Sequence, residues 1–109
     1  MPLHSVEKLS GRDIEEGELV YAVAVSAANI LRDLREHITN TFGGRMRQYE
    51  KLADETVARA LANLESKARE QGYDGVVGVT IVHPKIAEGG VEVVVYGTGY
   101  RHRGAERTA

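Results

Sequence analysis

The chain has 109 residues, of which 42% are apolar and 28% charged, a size and composition that suit one globular domain and leave no room for two. Fourteen Lys and Arg residues nearly balance 16 Asp and Glu residues, giving a formal charge of −2, so nothing concentrates a polyanion around the chain and general nucleic-acid binding is disfavoured. The sequence has no cysteine, which excludes disulfides and thiolate metal ligands and suits a cytoplasmic protein.

No segment predicts secretion or a membrane span. Residues 1–8 lack the basic start and apolar core of a signal peptide. The longest apolar run, residues 19–31, is interrupted by Ser26 and Asn29 and falls short of the about 20 residues that a spanning helix requires. We therefore expect no membrane partner.

The first third of the chain predicts a strand followed by a short helix. Residues 19–25 are rich in β-branched and aromatic side chains without polar alternation, which is typical of a mostly buried strand. Residues 27–38 place apolar side chains three and four positions apart, which predicts a short helix. The glycine pair Gly43 and Gly44 then ends this periodicity and favours a mobile or sharply turned loop.

A long amphipathic helix over residues 49–71 is the central predicted element. Gly72 can adopt the left-handed C′ position, with Tyr73 at C″ against Ala68, so we expect the helix to end in a Schellman motif. A rotation of about 100° per residue gathers the core-facing side chains into one arc of about 120°. These side chains are Tyr49, Ala53, Val57, Ala60, Leu61, Leu64 and Ala68.

Two further strands, over residues 74–82 and 91–99, complete the predicted fold. Pro84, Gly89 and Gly90 between them favour a hairpin, which makes the two strands antiparallel. The fold class is therefore α+β: a three-stranded antiparallel sheet covered on one face by the long helix, with the short helix beside it.

The other face of this sheet predicts self-association. Exposed apolar sheet surface commonly marks an interface, and the two later strands carry apolar side chains toward both faces. These are Val76, Val77, Val79, Ile81, Val93, Val94 and Val95. On the helix, Ala58, Ala62 and Ser66 form a small-residue line that is either a contact for another element or a solvated face of helix-favouring residues.

Several short motifs together resemble the YbjQ-like family of small bacterial proteins. The match extends over about residues 6–101 and includes Leu9-x-Gly11-x-x-Ile14, Ala28-Asn29-Ile30-Leu31-Arg32-Asp33-Leu34, Phe42-Gly43-Gly44-Arg45 with Tyr49-Glu50, Gly72-x-Asp74-x-Val76-Val77-Gly78-Val79, and Gly97-Thr98. The resemblance implies a dodecin-like β-α-β-β subunit that assembles into a homo-oligomeric ring, with a pentamer expected and short extra strands assisting assembly. One domain over residues 1–101 and a polar, disordered tail over residues 102–109 are expected.

The resemblance also carries a label of heavy-metal binding, which these residues support weakly. The four histidines are scattered, and a hairpin turning near Ala87 places His83 and His102 at opposite ends of the sheet. The resemblance implies acids at the positions of Thr80 and Val82, where this chain has none. We identify no cofactor and no metal-ligating residue set.

The candidate ligand-binding residues cluster around the predicted start of the long helix. They are Arg32, Asp33, Gly43, Gly44, Arg45, Tyr49 and Glu50. The helical arc places Glu50 among apolar residues, where a carboxylate is costly unless it is paired. Either Arg32 or Arg45 pairs with it for stability, or the cluster lines a pocket between subunits. The glycine pair with Arg45 is either a simple turn or a site for a small anion.

Two functions remain open from the sequence. The first is a ring-forming binding or scaffold module with a small anion or a metal at its subunit boundaries. The second is a small enzyme acting at those boundaries through Arg32, Arg45, Tyr49 and Glu50. The chain lacks a GxSxG motif and a cysteine nucleophile, which favours the first.

Overall fold

The computed structural model describes residues 2–27, 44–83 and 90–103. It contains strand β1 (Ile14–Ala27), helix α1 (Gly44–Glu70), strand β2 (Gly75–Val82) and strand β3 (Gly90–His102). β3 lies between β1 and β2 and is antiparallel to both. The predicted α+β class, antiparallel sheet and long helix are confirmed. The short helix predicted over residues 27–38 lies outside the described residues, apart from Ala27, which ends β1.

β1 and β3 both extend further than their sequence patterns predict. β1 begins at Ile14 rather than residue 19, because the polar stretch after Ile14 pairs with the end of β3, beginning with Ile14 opposite His102. β3 in turn includes Arg101 and His102, and the backbone N–H of Arg103 donates to the carbonyl of Asp13. The polar tail predicted to start at residue 102 therefore has an ordered beginning, stabilised by a strand distant in sequence.

The core lies between α1 and one face of the sheet, which we call the inner face. On β1 the alternate residues Val20, Ala22, Ala24 and Ser26 are buried. They lie opposite Gly97, Val95, Val93 and Val91 of β3. α1 completes the core mainly with Ala60, Leu64 and Ala68, which are fully buried.

α1 starts at Gly44, five residues before the predicted start at Tyr49. The prediction relied on apolar periodicity, which begins only at Tyr49, whereas the preceding Arg, Met, Arg and Gln residues have high intrinsic helix propensity. Gly44 and Arg45 therefore belong to the first helical turn, and the prediction that they form part of a loop was wrong. Gly43 lies outside the described residues.

A pair of hydroxyl groups is buried where α1 crosses the end of β1. Ser26 and Thr56 are hydrogen-bonded through their side-chain oxygens, and Thr56 Oγ1 also donates to the carbonyl of Leu52, 2.8 Å away. Because the single hydroxyl proton of Thr56 is used in that second bond, Ser26 donates to Thr56. Both buried hydroxyls are satisfied, so this polar contact carries no unpaired desolvation penalty.

The predicted Schellman ending of α1 is confirmed. Gly72 has φ 84°. The N–H of Tyr73 donates to the carbonyl of Ala68 at 3.0 Å, and the N–H of Gly72 donates to the carbonyl of Arg69 at 3.0 Å. Arg101 of β3 covers this end: its Nε and Nη2 donate to the carbonyls of Gly72 and Gln71 at 3.2 and 3.1 Å. The guanidinium of Arg101 thus caps the two backbone carbonyls that follow the last turn of α1.

Each edge of the sheet is covered over part of its length within the subunit. Along β2, residues 2–6 form a short parallel segment, with hydrogen bonds from His4 N–H to the Val76 carbonyl (2.8 Å) and from Val79 N–H to the His4 carbonyl (2.9 Å). Along β1, Arg59 and Asn63 of α1 donate to the carbonyls of Val25 (2.6 Å) and Val23 (3.4 Å). These side chains occupy acceptors that a foreign strand would otherwise use.

No helix among the described residues is long and apolar enough to cross a membrane.

Candidate functional site

The structure describes only part of the predicted ligand cluster. Arg32, Asp33 and Gly43 lie outside the described residues, and for Gly44, Arg45 and Tyr49 only the helical backbone is described. Glu50 is described completely, in the second turn of α1, and its side chain is exposed. Whether these residues converge on a ligand remains a prediction.

The predicted burial of Glu50 was wrong within the described subunit, because α1 extends beyond the sheet. Among the side chains described from Glu50 onward, the first buried one is Thr56, which contacts Ser26, the penultimate residue of β1. The preceding turns therefore project past the end of the strand, and Glu50 has no sheet surface beneath it among the described residues. The desolvation cost that called for a compensating arginine does not arise at this position.

The second face of the sheet, which we call the outer face, is apolar and uncovered over much of its area. Here β1 presents the residues that alternate with its core positions: Leu19 is 63% exposed, Tyr21 55%, Val23 42% and Val25 54%. Because a strand turns successive side chains to opposite faces, β1 carries two apolar faces and only one is covered by α1. This confirms the uncovered apolar face predicted from the sequence.

The outer face is continuous across all three strands. Val23 lies opposite Val94, which in turn lies opposite Val82 on β2. One step along, Tyr21 pairs with Tyr96, which pairs with Thr80. The two rows give an apolar band flanked by aromatic rings. None of these six residues is charged, and Lys67 Nζ of α1 lies 4.1 Å from the centroid of the Tyr21 ring at the β1 edge.

Two β-bulges produce a cleft at one end of the outer face. The register shifts between Glu16 and Leu19 on β1 and between Val77 and Thr80 on β2, and both shifts lie beside Thr98 of β3. Bulges bend and twist their strands, so the sheet is concave here. The cleft has a volume of about 480 Å³ and is lined by Glu7, Glu16, Leu19, Val77, Gly78, Thr80, Tyr96, Gly97 and Thr98.

Glu7 is brought to this cleft by the N-terminal segment. Gly78 forms the β2 bulge with φ 65°, and its N–H donates to the carbonyl of Val6 at 2.8 Å. The aliphatic part of the Glu7 side chain passes over Gly78. If Gly78 carried a Cβ atom, that atom would lie 3.8 Å from Glu7 Cγ. A carboxylate 71 residues away from Gly78 in sequence is therefore placed beside the bulge by backbone pairing.

A second cluster surrounds Tyr100, whose ring is fully buried against Gly75. His4 Nε2 lies 3.2 Å from Tyr100 Oη, and the His102 ring meets the tyrosine ring edge-on with centroids 5.5 Å apart. The backbone N–H of His102 donates to Asp74 Oδ2 at 2.8 Å. This cluster fixes residues 2–6 to the sheet.

Burial raises the pKa of Tyr100 above its ordinary value of 10.0, with the guanidinium of Arg12 opposing and the carboxylate of Asp74 adding to the shift. The folded protein therefore holds this proton more tightly than the unfolded chain. Below about pH 10 both states are protonated and stability is unaffected; above it the unfolded chain ionises first, so the free energy of unfolding falls as pH rises toward the folded pKa.

We expect Tyr100→Phe to reduce this alkaline loss of stability. Urea unfolding of the variant and of wild type at several pH values between about 8 and 11.5 measures it. The variant should differ from wild type by a constant amount below about pH 10, reflecting the lost contact to His4, and should then lose stability less steeply. Parallel curves over the whole range would contradict the raised pKa.

The described residues offer no support for the heavy-metal label. Among residues 2–27, 44–83 and 90–103, no three His, Asp or Glu side chains lie together in a way that could hold a metal ion. His4 and His102 both contact Tyr100, and the sequence did not lead us to predict this cluster. Tyr100 and His102 are two residues apart on one strand and therefore share a face, which is the sequence feature that could have indicated it. His83 and His102 lie toward opposite ends of the β2–β3 pair, as predicted.

The chain is similar over nearly its whole length to proteins of one family. A YbjQ family model described as "Putative heavy-metal-binding" matches residues 1–102. The UPF0145 protein of Halobacterium salinarum is 35% identical over 99 residues, covering 90% of this chain and 95% of the relative. The UPF0145 protein of Synechococcus sp. (strain JA-3-3Ab) is 33% identical over 104 residues, covering 94% and 100%. The relatives thus include archaeal as well as bacterial proteins, a wider range than predicted.

The fold is also similar to a solved structure. A crystal structure of a protein of unknown function from Pediococcus pentosaceus, assigned to the DUF74 family, aligns with a TM-score of 0.65 at 16% identity, covering 94% of this chain and 98% of that one. At this level of identity the likeness shows the fold alone.

Proposed function

This chain belongs to the YbjQ-like family of UPF0145 proteins, and on that premise we propose that it is a homo-oligomeric binding or scaffold module. In this proposal the subunits assemble through the outer face into a ring of dodecin-like subunits, with five as the expected number. The observation that carries the proposal is the continuous apolar band of the outer face, in which Tyr21 is 55% exposed and Val23 42% exposed.

The partly occupied edges of the sheet favour contact through its face. Arg59 and Asn63 occupy carbonyls of the β1 edge, and residues 2–6 pair with the β2 edge. A partner cannot add a strand at either place without displacing these groups. Desolvation of the outer face is then the main source of association energy, as expected for an obligate interface.

A ring requires two different contact surfaces on each subunit, because only heterologous contacts close into a cycle of five. The outer face supplies the first. For the second we propose the small-residue line of α1, Ala58, Ala62 and Ser66, all three of which are exposed. Small side chains allow a neighbouring element to approach the helix backbone closely.

Native mass spectrometry of the wild-type protein tests the assembly, with an expected mass near five times the 11.9 kDa subunit. Val23→Lys should give a folded monomer, because it places a charge within the band, at the β1 end of the valine row, while its own subunit leaves that position partly exposed. Ser10→Lys, at an exposed position away from the band, is the matched control and should retain the wild-type mass.

A third variant separates a ring from a symmetric dimer. Ala62→Lys should also dissociate a ring built on two surfaces, whereas it would leave a face-to-face dimer intact. A wild-type monomer, or an unchanged assembly in Val23→Lys, would refute assembly through the outer face. Circular dichroism on each variant distinguishes dissociation from unfolding.

A further inference from the structure

We propose that the bulge cleft on the outer face is a binding site for a small organic cation with a short apolar stem. Its volume of about 480 Å³ falls within the range of small-molecule sites. The cleft exists within one subunit, so the proposal does not depend on the assembly proposed above.

The concavity is built into the sheet. Thr98 on the central strand pairs with Leu19 on one side and Val77 on the other. Each of these neighbours lies at the end of a register shift, so each outer strand bends next to Thr98, β1 opposite Gly99 and β2 opposite Gly97. A depression formed by backbone geometry on both sides is present before any ligand binds, which reduces the ordering cost of binding.

The charge of the lining selects a cation. Glu7 and Glu16 supply two carboxylates, and the residues lining the cleft include no Lys, Arg or His. Lys8 and Arg12 line an adjoining depression of about 230 Å³ that shares the two glutamates, and in the described part of the chain neither forms an ion pair with them. A cation bound in the cleft is attracted by both carboxylates of its lining.

The remaining lining residues suit an amine with a carbon chain. Thr80 and Thr98 provide hydroxyl acceptors for ammonium protons. Leu19 and the ring of Tyr96, 39% exposed, offer an apolar wall and an aromatic face that attracts a cation. A second copy packed on the outer face would close the cleft further, because Leu19 and Tyr96 belong to both.

Calorimetric titration of the full-length protein with 1,4-diaminobutane tests the site. We expect saturable binding to wild type, and Glu7→Gln and Glu16→Gln should each weaken it about twofold to fivefold, the range for a solvent-accessible ion pair. Glu92→Gln is the matched control, because Glu92 is exposed on the outer face at the far end of the sheet, opposite Val25, and it should bind as wild type does. The neutral analogue 1,4-butanediol should not bind.

The proposal would be overturned by no heat above dilution with the diamine, by an equal loss of affinity in Glu92→Gln, or by comparable binding of the diol. Zinc binding that depends on Glu7 and Glu16, without diamine binding, would also overturn it in favour of a metal site. Diamine binding retained in monomeric Val23→Lys would show that the cleft functions independently of assembly. Weaker binding in the glutamine variants, measured while native mass spectrometry still shows the wild-type oligomer, would place the effect in the cleft alone.

Discussion

Gly99→Ala should destabilise the fold by about 1–3 kcal/mol, the usual cost of overpacking a core. The ring of Tyr73 lies directly over Gly99 on one side and Gly17 on the other, and a Cβ at either glycine would overlap ring atoms. The ring cannot move aside, because its hydroxyl accepts a hydrogen bond from the N–H of Glu18 at 2.8 Å and Arg101 lies 4.4 Å from its centroid. Urea unfolding monitored by circular dichroism measures the loss.

A double-mutant cycle with Tyr73→Ala identifies the cause. Tyr73→Ala alone should cost about 3–5 kcal/mol, as for other buried aromatic truncations. In that background Gly99→Ala should become nearly neutral, since the overlapping ring is gone and alanine restricts the unfolded chain more than glycine does. An equal loss from Gly99→Ala in both backgrounds would show that something other than the tyrosine ring excludes a side chain.

Leu64→Ala is expected to lose about 2–5 kcal/mol, the observed range for a fully buried leucine. Leu64 is 0% exposed and lies in the core cluster with valines from all three strands. The helix and the sheet cannot both collapse into the space, because α1 is fixed at one end by Arg101 and farther along by the contact between Thr56 and Ser26. A large part of an ordinary domain's stability would be removed.

Leu61→Ala provides the comparison, because Leu61 is only partly buried at the margin of the same cluster. It should cost clearly less than Leu64→Ala in equilibrium unfolding. The free energies of unfolding of both alanine variants should also be measured in the monomeric Val23→Lys background. There, a second copy of the chain contributes no burial to either leucine. Equal losses in the monomer would contradict the position of Leu61 at the edge of the core.

The features that could be predicted from the sequence are those set by local chemistry. The Schellman ending followed from a single glycine before Tyr73, and the hairpin strands followed from short β-branched runs separated by Pro84 and two glycines. The uncovered outer face could be predicted because the strands carry apolar side chains toward both faces, whereas the long helix covers only one face. In each case a few neighbouring residues determine the outcome.

The features that were missed depend on residues distant in sequence. The polar start of β1 becomes a strand only because β3 pairs with it, and residues 2–6 become ordered only along β2. Both walls of the cleft arise from bulges, for which the sequence offered no more than Gly17 and Gly78 within otherwise regular strands. The burial assigned to Glu50 failed for a related reason: a helical wheel gives the direction of a side chain but not where the opposing sheet ends.

The order of the strands also determines when the sheet can form during synthesis. β1 and β2 make no strand pairing with each other, because β3 lies between them, and β3 begins only at Gly90. At about 5–20 residues per second, roughly 3–13 s separate completion of β1 from the appearance of its pairing partner. During that interval β1 has two apolar faces and no strand with which to form backbone hydrogen bonds. A chain truncated before residue 90 would lack the central strand on which both others depend, so this protein folds only when its C-terminal strand is available.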